Sequence, residues 1–561
     1  MPIYLLLLFL ALFPLRNLIN PGLPITHDLE QHLARLASFS VSFAEGNLYP
    51  RWAGNLNYGF GHPNLMFQHP LINYLSLPIH YLGFTFADSV KLLIIISYIL
   101  SGLFMYLFLR LHFSRLAALF GTVVYLYIPY RFVDIYVRGA VPEQLFFALA
   151  PLTLYFVFLF CSQRKIIYLF LSILSLTLLL LSHIANGFFF LPFIIFLLII
   201  FGKNNDFWDF VRRQTMIVLI IIASLSLTAF YWFPAIYEGK YTLRHLILNK
   251  EEAVKHLVSL QDLFNPSWNY GYSGSADHLS FQLGAFSIIL ILFSVYALFK
   301  VPKKEKLQKA VKYLLLLTVI FSFFMTDYSR WVWLNLPLLY NIRFPWRLLV
   351  FISLIIPLIS SWGISVLPFI IKSKIIRRTL LFLYIFLIIL TSAGYQQAQR
   401  YYQLTDKYLR HDYNYTADNG ESSPIWGTFS EEKKPNSQLE VLAGDMNFRE
   451  LKRLSNRHHY FVNIKTSQAR LLENTVYFPG WKLYDNGKNI TDSIQFQDPS
   501  FRGKITFWLD GGQHYLELIF QNTKARQLAE IISKVTFIIF ISLLIWESIK
   551  IAGRYLTTVF N

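Results

Sequence analysis

The stretch LLIIISYILSGLFMYLFLRLHFSRLAALFGTVVYLYIPYRFVDIYVRGAVPEQLFFALAPLTLYFVFLF, residues 92–160, carries three long apolar runs parted by two short charged turns. The first turn holds Arg110 and Arg115, and the second holds Arg131, Asp134, Arg138 and Glu143. A helix needs roughly 17 to 25 mostly apolar residues to cross a hydrocarbon core, so the stretch reads as three successive membrane spans.

Working outward, such runs are centred near residues 11, 99, 122, 152, 174, 194, 223, 291, 320, 358, 386 and 539. They predict an all-α membrane protein of about twelve transmembrane helices and exclude an ordinary soluble enzyme. Composition agrees: 55% of the 561 residues are hydrophobic and only 15% charged, so lipid is the solvent for most of the chain. The run Pro2 to Leu15 has no basic segment before it and no small-residue cleavage site after it, which predicts a retained helix.

The formal charge of +18 suggests nucleic acid at first sight, but the cations follow lipid topology instead. Arg110 with Arg115, Arg164 with Lys165, and Lys203 with Arg212 and Arg213 fall in alternate turns. So do Lys300, Lys303, Lys304, Lys306, Lys309 and Lys312, then Lys372, Lys374, Arg377 and Arg378, and finally Lys550 with Arg554. The positive-inside rule then puts both termini in the cytoplasm. Residues 20–87, 130–143, 182–187, 233–281, 326–345 and 395–526 become the external segments, where chemistry is to be sought. The single cysteine, Cys161, permits no intramolecular disulfide and reads as packing.

Three units follow: a polytopic domain over 1–394 with a large first loop at 20–87, an extracytoplasmic domain over 395–526, and a last span with its tail over 527–561. In the first loop Leu29, Leu33, Leu36, Phe39 and Phe43 recur at helical spacing, predicting a helix lying in the membrane interface. Asp28 and Gln31 have the form of a capping box at its start. In the second unit, HHYFVNIKT, NTVYFPGWKLYDNGK and KITFWLDGGQHYLELIF alternate apolar with polar residues. Asp-Asn-Gly and Asp-Gly-Gly are hairpin signals, so a small β-sandwich is expected there.

Candidate chemistry falls on the external segments. Asp28 or Glu30 could deprotonate an acceptor hydroxyl or hold a divalent cation, against the plainer reading of Asp28 as a helix cap. Arg131 and Arg138 could grip phosphate through their planar forks, or serve as interfacial anchors paired with Asp134 and Glu143. His183 could donate to phosphate, or simply pack. Arg343 and Arg347 lie on the outer face, against the charge bias, which favours an anionic partner. Trp331, Trp333, Tyr340 and Trp346 around them equally suit an interfacial belt. Trp481 could stack on a sugar or fill the sandwich core. No P-loop, nucleophile elbow, zinc pair or dinucleotide fingerprint stands in a credible context.

HDLEQHLAR at 27–35, GNLYPRWAGNLNYGFGHPNLMFQHPLINYL at 46–75, YVRGAVPEQLFFALAPL at 136–152, SHIANG at 182–187 and IRFPWRLL at 342–349 together carry a resemblance. The chain resembles the bacterial membrane proteins related in name to 6-pyruvoyl-tetrahydropterin synthase, and through them the YfhO-like proteins and the GT-C glycosyltransferases. YFPGWKLYDNGK and GGQHYLELIF near the end are similar to the YfhO-like C-terminus. The resemblance implies a bacterial inner-membrane enzyme that transfers a sugar from a polyprenyl-phosphate donor to an envelope polysaccharide or glycoconjugate. It implies an acidic base in the first external loop, matched by Asp28 with Glu30 as alternative or partner. Arg131, Arg138, Arg343, Arg347 and His183 are then candidates for donor phosphate, Glu143 for a supporting acid, and Trp481 for acceptor binding. A divalent cation, magnesium or manganese, stays open as a cofactor. A non-enzymatic lipid-glycan transporter and an envelope assembly scaffold are the alternatives.

Overall fold

The computed structural model describes residues 2–202, 207–302, 307–336, 339 and 342–559, without the side chains of Pro2, His245 and 551–559. Lys203, Lys303, Lys304, Lys306 and Tyr340, and the side chain of Arg554, therefore lie outside the described residues.

Helices stand at all twelve apolar runs, though not all span by themselves. Among the described residues eight are long and apolar enough to cross a membrane, and the pair Arg115–Tyr127 and Pro129–Arg138, bent by 47°, makes a ninth. Shorter apolar helices, Ile3–Ile19, Ile166–Ser182 and Ala285–Lys300, occupy the other three positions. Burial separates centre from rim: 94% of the most apolar window of Pro345–Ile370 is buried, against 11% for Lys524–Lys550. The former is the core of the bundle and the latter faces lipid.

The bend has a local cause. Proline forces the residue before it out of the helical region, and Ile128 accordingly sits at ψ 129° ahead of Pro129. A π-helical turn, Val133–Arg138, follows and ends at Gly139 with φ +66°, the left-handed cap that glycine adopts without penalty. A Cβ on Gly139 would lie 2.4 Å from Thr26 Oγ1 and 2.8 Å from Leu29 Cβ. Gly139→Ala is therefore expected to cost at least ~1–2 kcal/mol and to lower the melting temperature; unchanged melting would refute this account of the turn.

Two expectations for the first loop need correction. The helix Leu29–Ala44 does not lie with one face in the interface, because His32 through Ser40 are all buried. It packs against Leu71–Tyr81, Phe86–Arg110 and the turn Tyr408–Asp412. Nor does the capping box form. Asp28 occupies the cap position without a side-chain cap bond, while the Gln31 side chain receives Arg35 instead.

The C-terminal unit is one six-stranded antiparallel sheet rather than two separate ones. Its spine is the pair Arg457–Val476 and Lys504–Phe520, whose register slips between Ile464 and Gln468. Residues from both sides of the slip, such as Val462 and Leu471, share one hydrophobic core, so the layers arise by folding a single sheet. Trp52, Phe60 and Met66 from the first loop complete that core.

Within the sheet, Glu473 accepts hydrogen bonds from Arg453, His458 and Tyr460, each at 2.9 Å. Burial works to raise its carboxyl, but the charges of His458 and Arg453 outweigh burial and hold it at about 2. The unfolded chain, with the ordinary value of 4.5, then binds more protons between those limits. This contribution is present above pH 4.5 and is lost as pH falls toward 2. His458, lowered by burial, acts in the same direction from higher pH. Glu473→Gln is expected to flatten the acid limb of stability in melting experiments across roughly pH 3 to 6; an unchanged limb would refute this assignment.

Candidate functional site

Six chain segments meet over one end of the bundle around a cavity of about 330 Å³. They supply Asp28 and Arg35, then His69, Arg138 and Glu143, then His183, Arg244 and Glu252, and last Arg343, Arg347 and Asp418. Each comes from a segment that the charge bias assigns to the same face.

The floor is an ion cluster. Arg138 donates to Asp134, to Tyr130 Oη at 3.0 Å and to Glu143 Oε1 at 2.9 Å. The Tyr130 hydroxyl donates to Glu143 Oε2 at 2.9 Å, and Trp346 covers the Arg138 guanidinium at 4.7 Å. With two carboxylates on it, Arg138 is largely neutralised. The bent span and the left-handed Gly139 place these groups, and the Asp28 amide closes the turn on the Arg138 carbonyl at 2.9 Å.

Arg347 is different. Its Nε lies 3.6 Å from Glu143 Oε1 and, though buried, has no hydrogen-bond partner among the described residues. A buried donor left unpaired is costly, so this guanidinium is ready for an incoming anion. Arg343, at φ +59°, is paired with Glu421.

Facing them, the Asp28 carboxylate makes no hydrogen bond or ion pair among the described residues. Arg35 donates to Gln68 at 2.6 Å and to the Gln31 carbonyl at 3.1 Å. His69 stacks on His183 at 4.5 Å, and the His183 ring caps the next helix by accepting from the Asn186 amide at 3.2 Å. His32 and His69 are held well below the usual histidine range, first by burial and then by neighbouring imidazoles and arginines. The arginines thus carry the cavity's positive charge near neutral pH.

Three candidates lie elsewhere. Glu30 accepts a hydrogen bond from Tyr402 at 2.5 Å and is not part of the cavity wall. Arg131 is wholly buried between the rings of Tyr98, Tyr125 and Phe147, each within 4.7 Å, and cannot reach a donor phosphate in the cavity. Trp481 is 1% exposed and packs on Trp52 and Phe520, so no sugar can stack on it. Among the described residues no three His, Cys, Asp or Glu side chains come together as metal ligands.

Sequence reading missed His32, Arg35, His69, Asp418 and Glu421. Asp28, His32 and Arg35 share one helical face by spacing alone, so that signal was available. Asp418 and Glu421 sit in a turn with no periodicity to mark them.

A family model described as "6-pyruvoyl-tetrahydropterin synthase related domain; membrane protein" matches residues 70–400. The chain belongs to that family. The match of this PTPS-related family takes in Arg138, Glu143, His183 and Arg347, while Asp28 and Asp418 lie outside it. No curated protein matches the chain in sequence. Solved structures similar to it include the arabinofuranosyltransferase AftD from Mycobacteria, at 13% identity and TM-score 0.46 over 70% of this chain. The Archaeoglobus fulgidus oligosaccharyltransferase is similar at 12% identity and TM-score 0.44, also over 70%. The chain spans 26% and 56% of those two proteins.

Proposed function

We propose that this PTPS-related protein is a membrane glycosyltransferase that moves a sugar from a polyprenyl-phosphate donor to an envelope polysaccharide or glycoconjugate. One observation carries the reading: an unpartnered carboxylate, Asp28, and a guanidinium with an unsatisfied buried nitrogen, Arg347, line the same cavity.

The chemistry is a displacement at the anomeric carbon. The acceptor oxygen forms the new bond to that carbon, its proton passes to Asp28, and the bond from the carbon to the phosphate oxygen breaks. The departing polyprenyl phosphate gains negative charge, which Arg347 stabilises with Arg35 and Arg343 nearby. Glu143 fixes Arg138 and leans on Arg347, making it a positioning residue. The active face lies outside the cytoplasm, with both termini inside, in the inner membrane of a bacterium.

The test is transfer of radiolabelled sugar from a panel of polyprenyl-phosphate sugars, with the full chain in proteoliposomes. Donor consumption with label appearing in a glycan acceptor is the expected result. Movement of an intact lipid-linked sugar across the bilayer, with no bond broken, would overturn the reading in favour of a transporter. Absence of both activities would favour an assembly scaffold.

A further inference from the structure

A second cavity, about 740 Å³, shares no lining residue with the one above. It opens where residues 46–52 and the end of the sheet meet the helices Ile166–Ser182 and Lys524–Val559. Its two ends differ in chemistry. Asn47, Arg51, Asn456, Asn522, Glu530 and Lys534 form the end beside the sheet. Leu174, Leu227, Phe537 and Phe540 form the end within the bundle, with Phe230 between the two ends, its carbonyl accepting from Arg51 at 3.2 Å. A smaller apolar cavity of about 160 Å³ continues from Leu227 and Phe540 toward Ile166, Leu543 and Trp546.

The polar end carries an excess of positive charge and unspent donors. Glu530 receives Arg51 at 3.1 Å, Lys534 at 3.1 Å and Asn522 at 2.8 Å, so two cations share one carboxylate. The Arg51 side chain is 5% exposed, yet among the described residues its Nε has no hydrogen-bond partner, and neither has the buried Tyr49 hydroxyl. Buried donors of this kind call for an acceptor.

We infer that this groove binds an anionic glycerophospholipid, its phosphodiester on Arg51, Tyr49 and Lys534 and its acyl chains along the last helix toward Leu543. A soluble anion would leave the apolar floor unused. The donor lipid is disfavoured because the groove shares no wall with the cavity of Asp28. The site ties the sheet, the first loop and the last span to the surrounding bilayer, and its occupancy is independent of catalysis.

The experiment places the full chain in phosphatidylcholine nanodiscs containing phosphatidylglycerol with a photoactivatable acyl chain, and maps the labelled peptides. Labelling is expected to concentrate on residues 166–182 and 524–550. Leu174→Trp or Leu227→Trp should reduce it by about tenfold by filling the groove, while Leu316→Trp on a lipid-facing surface should not. Lys534→Glu, at an exposed position that disturbs no packing, should reduce phosphatidylglycerol labelling about fivefold and leave an equivalent phosphatidylcholine probe unaffected. Labelling spread evenly over all spans, or indifferent to these variants, would overturn the inference. So would displacement of the probe by a polyprenyl phosphate at low molar ratio, which would give the groove to the donor's chain.

Discussion

Asp28→Asn is expected to lower sugar-transfer turnover by about 10²–10⁴-fold, the usual contribution of a positioned general base, with no change in melting temperature. The substitution is chosen for what it preserves. Asparagine serves as well as aspartate at a helix N-cap, so a capping role would survive it, whereas proton abstraction would not. Among the described residues the carboxylate makes no cap bond and no ion pair to lose, which is why stability should hold. The measurement is initial rate with saturating donor, beside melting of the same preparation. Retained turnover in the asparagine variant would sink the assignment of Asp28 as base.

Arg526→Ala or Glu238→Ala is expected to destabilise the protein by about 3–5 kcal/mol, as removal of one partner from a buried ion pair does. Arg526 and Glu238 are 0% and 1% exposed, with Nη2 to Oε2 at 2.6 Å. Arg526 also donates to the Pro479 carbonyl at 2.7 Å, and Thr523 donates to Glu238 at 2.5 Å. The pair thus pins the last span to the segment Glu238–Tyr241 and to the sheet. Either single alanine leaves the other charge buried and unmatched, so the double variant Glu238→Leu with Arg526→Met should lose less than either one alone. Melting in detergent measures both; single variants that melt with the wild type would refute the bolt-like role of this pair.

Much of this architecture was legible because lipid leaves few options. A spanning segment must satisfy its own backbone, so each helix announces itself as an apolar run, and all twelve runs carry helices. The alternation of Lys and Arg grouped Asp28, Arg138, His183 and Arg347 on one face before any distance was known. What sequence could not show was which polar groups already had partners. Glu30 and Asp28 are two residues apart, yet Tyr402, 372 positions away, takes only the first. Arg131 and Arg138 sit about two helical turns apart, yet three aromatic rings enclose Arg131 and two carboxylates claim Arg138. The partner of Glu30, and Tyr98 and Phe147 around Arg131, come from other segments and leave no mark in local spacing, whereas Asp134 and Glu143 lie close to Arg138 in the chain and were legible as its partners.

The junction of Trp52 with Trp481, rings 5.3 Å apart, sets a timetable for biogenesis. At ~5–20 residues per second, a ribosome needs roughly 20–90 s to travel from one tryptophan to the other. Throughout that interval Trp52, Phe60 and Met66 await the strands that will cover them, across a bundle whose earlier spans are already inserted. Maturation of the first loop therefore depends on strands made long after it, and a nascent protein halted before the strand Lys504–Phe520 would hold its first loop open to proteases and holdases.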